Sequence, residues 1–314
     1  MQPFLSIGRA SAAPRTRRVT RWLACALLLA CGDTRRDAAT REGPLVVFSA
    51  GSLARPLRAA LEAFQSETGI AYQLESAGSL ETARKLTELN KIPDLVALAD
   101  EEVFPKLLIP AYTAEHVVFA RNRLVLAHTP GSRFAEEVTA DNWWSILQRP
   151  GVQTGRSNPD LDPSGYRTLM VWQLAELHYG QPGLAAALEA AAPPRNMRPK
   201  EIELVALLEA HELDYAWFYE SMARAAGLPY IRLPQTIDLS SPADSASYGR
   251  AVVRVLGRAP GDTLILRGAP IRYAYAVPTQ APHPDLGRRF AAFLASQAGK
   301  RALASEYLEV VERE

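Results

Sequence analysis

From residue 45 onward, short apolar runs alternate with stretches of helical period. Apolar residues fill 45–48, 95–98, 117–120 and 124–127, and mixed runs at 71–74, 213–219 and 273–277 have the same character. Short apolar runs bounded by turn residues predict buried strands. Leu53, Leu57, Ala60, Leu61 and Phe64 fall on one helical face, and Pro56 is tolerated in the first turn. Helical patterns also cover 80–89, 168–179, 202–210 and 286–303, and the Trp143-Trp144 pair after Asp141-Asn142 reads as a helix start packed into the core. Strands alternating with helices predict an α/β architecture. The Ala-rich stretch 185–194 reads as a surface connection, and no internal repeat is present.

The loops that open these helices are polar in a recurring way. Ser49-Ala50-Gly51-Ser52, Ser76-Ala77-Gly78-Ser79, Asp162-Pro163-Ser164-Gly165 and Arg198-Pro199-Lys200-Glu201 each precede a helical stretch. A helix N-terminus presents unpaired N–H groups and the positive end of the backbone dipole, so several converging on one cleft would hold an anion. Each residue also has a plainer reading. Asp162 before Pro163 is an ordinary N-cap, Glu201 a dipole partner, Ser52 and Ser79 caps, and Tyr219 a core residue of an apolar strand. Residues 121–123 and the start of 273–277 are candidate hinges. They divide the chain into a first lobe, 45–121 with 273–314, and a second, 122–272, each bringing two helix starts to the cleft.

The first 44 residues have another character. Arg15, Arg17, Arg18 and Arg21 form a basic region, and the apolar core 22–30 is too short to span a bilayer but fits a secretory signal. The run Leu28-Leu29-Ala30-Cys31 is similar to the bacterial lipoprotein processing box. Residues 1–31 are therefore expected to be a signal peptide with Cys31 lipidated, a plain cleaved signal being the alternative, and 32–44 a tether. Cys25 lies inside the leader, so the exported chain keeps at most Cys31 and forms no internal disulfide. A net charge of +1 with no basic block gives no footprint for nucleic acid. His116, His128, His178, His211 and His283 are scattered, and no serine elbow, phosphate loop, dinucleotide fingerprint or zinc spacing occurs. The expectation is a non-enzymatic protein without a cofactor, on the periplasmic or extracellular face of the membrane.

Together these residues resemble the molybdate/tungstate-binding proteins of bacterial and archaeal ATP-driven importers, in the branch that makes the metal six-coordinate. The resemblance runs through Phe48-Ser49-Ala50-Gly51-Ser52-Leu53, Ala77-Gly78-Ser79, Phe119-Ala120-Arg121-Asn122, Ser157-Asn158-Pro159 with Asp162-Pro163, Gly165-Tyr166-Arg167, Arg198-Pro199-Lys200-Glu201 and Leu213-Asp214-Tyr215-Ala216. It implies a type II periplasmic-binding-protein fold, with each lobe a mixed sheet flanked by helices. It also implies a monomer that delivers its oxyanion to a membrane permease. Carried over by position, Ser52 and Ser79 are hydroxyl donors, Tyr219 bonds an oxo group, and Asp162 and Glu201 coordinate the metal. Ser164 belongs to the ligand-binding set at a position where relatives often carry cysteine. Asp160 is a rival to Asp162, because Leu161 replaces a polar residue of the family.

Two carboxylates beside a dianion are repulsive unless they bond the metal itself. Unit charges 4 Å apart at an effective dielectric near 20 interact by roughly 4 kcal/mol. Molybdenum and tungsten expand from four to six oxygen ligands, whereas sulfur and phosphorus do not, so the pair would attract the wanted ion and repel its competitors. A receptor for sulfate or phosphate is the alternative within the class. An exported hydrolase using both carboxylates as acid and base, or a ligand-sensing partner of a membrane signalling protein, are alternatives outside it.

Overall fold

A computed structural model describes residues 43–257 and 261–312; the expected leader, with Cys31 and the tether up to residue 42, lies outside them. The chain starts with β1 (Leu45–Ala50), α1 (Ala54–Thr68), β2 (Tyr72–Ala77), α2 (Ser79–Thr87), β3 (Leu95–Leu98) and β4 (Val117–Arg121). It then crosses to a second body. There lie β5 (Leu124–His128), α3 (Trp143–Ile146), β6 (Thr154–Ser157), α4 (Pro163–Tyr179), α5 (Leu184–Ala191), β7 (Met197–Arg198), α6 (Glu203–Glu209), β8 (Tyr215–Tyr219), α7 (Glu220–Ala225), β9 (Tyr230–Arg232) and α8 (Ser245–Tyr248). A hairpin of β10 (Val252–Leu256) and β11 (Thr263–Arg267) follows. The chain then returns as β12 (Arg272–Ala276), α9 (Pro284–Ala295), α10 (Gln297–Ser305) and β13 (Glu309–Val310).

The first lobe is built on a six-stranded sheet in the order β13-β4-β12-β3-β1-β2, the second on a five-stranded sheet in the order β7-β6-β8-β5-β9. Both are mixed. β1 runs parallel to β2 and β3, while β12 is antiparallel to β3 and β4. In the second sheet β6 is parallel to β7 and β8, and β5 is antiparallel to β8 and β9. Strands β1, β3, β5 and β8 are buried along nearly their whole length, which is why they read as nearly continuous apolar runs. Trp143, Trp172 and Trp217 fill the second core edge to face, so the tryptophan at the start of α3 is core as expected.

Parallel pairing positions the site. β1 and β2 are in register, Ser49 opposite Ser76 and Ala50 opposite Ala77, so both Ser-Ala-Gly-Ser loops leave the sheet at the same edge. In the second lobe Ser157 lies opposite Arg198 and Thr154 opposite Tyr215, so the carboxyl ends of β6, β7 and β8 open towards one place. Ligand sites of open α/β sheets form at such ends.

Two expectations need correction. Residues 185–194 are not a bare surface connection. Leu184–Ala191 is helical, with Leu184 and Leu188 buried, because an alanine-rich segment has the highest helix propensity and two leucines one turn apart anchor it. The helix expected over 286–303 is broken at Ser296, which adopts extended backbone and caps α10 by accepting from the Gly299 N–H at 3.1 Å.

Candidate functional site

In the first lobe, Ser52 sits in the tight turn Gly51–Leu53 and Ser79 is the first residue of α2. Each hydroxyl is held by a group that can only donate, directly or through one intermediary. The Ala99 N–H donates to Ser79 Oγ at 3.0 Å. Asn122 Nδ2 donates to the Tyr273 hydroxyl at 3.1 Å, and that hydroxyl donates to Ser52 Oγ at 3.2 Å. In the second lobe Arg167 Nη1 donates to the Tyr219 hydroxyl at 2.7 Å. Backbone N–H and guanidinium groups cannot accept, so the polarity at Ser79 and Tyr219 is fixed, while Ser52 accepts from the Tyr273 hydroxyl. Each has its acceptor side engaged and its own hydrogen left to donate. Burial holds Tyr219 and Tyr273 well above the usual phenol range, so both keep that hydrogen.

Asp162 is the N-cap residue of α4 by position and backbone (φ −130°, ψ 131°), yet its side chain makes no capping bond. Glu201 lies in the turn before α6, and its Oε2 accepts from the Tyr219 N–H at 3.2 Å. Asp162 Oδ2, Glu201 Oε1, Ser157 Oγ and Ser164 Oγ are all buried without a hydrogen-bond partner. The Ser157 hydroxyl lies near enough to Asp162, and that of Ser164 to Glu201, to favour the charged carboxylates, although neither contact reaches hydrogen-bond geometry. Burial dominates nonetheless. It pushes Asp162 up to about 6 against the opposing pull of Ser157, the Glu201 N–H, Arg167 and Lys200. Burial, then the Asp162 charge, pushes Glu201 well above the usual carboxylate range. A buried, unpartnered carboxylate is costly, and two side by side more so. The arrangement is therefore built for a ligand with an electropositive centre and hydrogen-bond-accepting edges.

Asp160 stands apart from this pair. Its Oδ1 accepts from the Leu256 N–H at 2.8 Å, so its carboxylate secures the β10 hairpin. The lobes touch at the site: a Cβ at Gly78 would lie 2.6 Å from the Leu161 carbonyl carbon and 3.2 Å from Asp162 Cα, and Lys200 Nζ donates to the Ser76 carbonyl at 3.4 Å. Ser52, Ser79, Ser164, Tyr219, Asp162 and Glu201 are all buried. The supporting groups Asn122, Ser157, Arg167 and Tyr273 were not assigned site roles from the sequence. For Arg167 a signal existed, since it follows Asp162 by little more than one helical turn in α4. Among the described residues, no group of three or more His, Cys, Asp or Glu could hold a bare metal ion.

Known proteins are similar to this chain in sequence and in fold. A solute-binding protein of Petrotoga mobilis is 41% identical over 265 residues, spanning 84% of this chain and 82% of its own length. Molybdate/tungstate-binding protein WtpA of Pyrococcus abyssi is 36% identical over 302 residues, spanning 87% of each. The periplasmic molybdate-binding protein of Azotobacter vinelandii has the same fold, with a TM-score of 0.61 at 15% identity, over 85% of this chain and 100% of that one. Residues 45–308 match the family described as bacterial extracellular solute-binding protein, and the chain belongs to that family.

Proposed function

We propose that this protein captures tungstate or molybdate between its lobes and delivers it to the membrane permease of an ATP-driven importer. The observation that carries the reading is the pair of buried carboxylates with unpartnered oxygens, Asp162 and Glu201, set among hydroxyls whose hydrogens are free to donate. The carboxylates coordinate the metal and complete six oxygen ligands, while Ser52, Ser79 and Tyr219 donate to the oxo groups. Sulfate and phosphate offer no such centre, and their charge meets that of the carboxylates. The name of the Pyrococcus abyssi relative supports the same ligands. The family is extracellular, which supports a place outside the cytoplasm; in this reading Cys31 carries a lipid anchor. Among the described residues no helix is long and apolar enough to cross a membrane. The protein acts as a receptor and carries out no turnover.

A thermal-shift panel with tungstate, molybdate, sulfate and phosphate tests this. A ligand at 100 times its Kd adds about 2.7 kcal/mol, a plainly raised midpoint. Tungstate or molybdate should raise it and sulfate should not. A rise with sulfate or phosphate alone would replace the ligand assignment. In isothermal titration, Asp162→Ala and Glu201→Ala should each lose tungstate affinity, and unchanged affinity in both would refute metal coordination.

A further inference from the structure

Arg167 and Asp100 meet across the cleft. Asp100 follows β3 in the first lobe; Tyr166 and Arg167 stand on α4 in the second. Arg167 Nη2 lies 3.2 Å from Asp100 Oδ1, and Nη1 donates to the Ala99 carbonyl at 2.6 Å as well as to the Tyr219 hydroxyl. The Tyr166 hydroxyl donates to Asp100 Oδ2. All three residues are nearly sealed from solvent, Asp100 at 5%, Arg167 at 4% and Tyr166 at 1% exposure. Two other arginines that cross between the lobes differ in kind, since across the cleft they donate to carbonyls alone: Arg84 to those of Asp160 at 2.9 Å, Leu256 at 2.6 Å and Gly257 at 3.4 Å, and Arg55 to that of Ala225 at 2.7 Å.

The residues tie closure to ligand contact. Ala99 gives its N–H to Ser79 and its carbonyl to Arg167, so one backbone unit of the first lobe steadies a ligand hydroxyl in each lobe. Separating the lobes would take Asp100 and Ala99 away from Arg167, because they stand on opposite sides of the cleft. Arg167 would then keep Tyr219 but lose the groups that fix its own direction. Both charges would regain water, so the pair is worth something only when the lobes are shut.

We propose that Asp100 and Arg167 form the latch of the closed state, with Arg167 a positioning residue that orients the Tyr219 hydroxyl towards the ligand once Asp100 engages it. This rests on the oxyanion reading. A contact made after the ligand has entered acts on the rate of escape rather than of entry. Asp100→Asn, which keeps the shape and removes the charge, should speed tungstate dissociation about tenfold, with association changed by less than about threefold. Tyr166→Phe, which leaves the ion pair intact, should speed it less. Stopped-flow fluorescence reads both rates, and small-angle scattering should show the tungstate-loaded Asp100→Asn protein wider than the loaded wild type. The ligand-free melting midpoint should stay where it is.

Unchanged dissociation in Asp100→Asn, or a ligand-free midpoint lowered as far as the loaded one, would overturn the latch and leave a static bridge. Should Asp100→Asn fail to fold, Tyr166→Phe decides by the same rates. The oxyanion reading fails separately, if the wild type ignores tungstate. The latch is then judged by the same two rates with whichever oxyanion of the thermal-shift panel binds, and it is rejected if none does.

Discussion

Asp162 occupies a cap position and caps nothing. Before a proline, its residue type predicts a bond to the first turn of α4, and the backbone adopts the extended conformation that such a bond needs. The carboxylate instead lies beside Glu201, where burial raises it to about 6 from an ordinary 3.8. The sign of the consequence follows from proton linkage. Between those values the folded ligand-free protein holds a proton that the unfolded chain has released, so stability falls as pH rises through that window and stays low above it. Asp162→Asn should raise the ligand-free midpoint at pH 7.5, by a stabilisation on the order of 3 kcal/mol at most. The gain over wild type should vanish towards pH 4, as melts across pH 4–8 would show. A gain independent of pH would mean that ionisation is not the cost. The polar residues of this site were legible as types and positions. Their unpaired state was not, because pairing depends on Glu201, in the turn before α6, and on Tyr219, at the end of β8, which lie far from Asp162 in sequence.

At the scale of elements, the apolar runs gave β1, β3, β4, β5, β8 and β12 away, since strands buried on both faces need apolar side chains throughout. β6 was invisible for the opposite reason. Its sequence Thr-Gly-Arg-Ser is polar, yet all four residues are buried, and its strand character comes from pairing with β7 and β8. The in-register pairing of β1 with β2 turned two similar loops into neighbours. At the second of them Gly78 has φ −63° and ψ 151°, a conformation open to any residue, so glycine is needed for space rather than for flexibility. Leu161 of the other lobe fills that space. Gly78→Ala should therefore obstruct closure, weakening tungstate binding by about tenfold or more in titration calorimetry while the ligand-free midpoint holds. Normal affinity would show that the lobes accommodate the methyl group by shifting.

For the whole molecule, the two sheets joined by adjacent crossings at β4–β5 and β11–β12 make the cleft the natural place for a ligand and the crossings the natural place to bend. Asn122 stands at one crossing and Tyr273 at the other, and their hydrogen bond leads on to Ser52, so the crossings and the proposed binding site share a network. A lipid anchor at Cys31 would hold the protein near the permease to which it is proposed to deliver. Cys31→Ala should move it from the membrane fraction to the soluble one in a cell fractionation, with tungstate affinity intact; retention in the membrane fraction would reject the lipid anchor.

Sequence alone determined the α/β class, the chain order of most buried strands and the residue types offered at each helix start. Those follow from local rules, since hydrophobic period, proline placement and helix-start chemistry act over a few residues. Tertiary structure alone decided that Asp162 rather than Asp160 lies beside Glu201, that donors fix the polarity of the Ser79 and Tyr219 hydroxyls, and that Arg167 spans the lobes to Asp100. Each of these depends on groups brought together from distant parts of the chain, where burial removes water as the alternative partner. No local pattern records which partner replaces it.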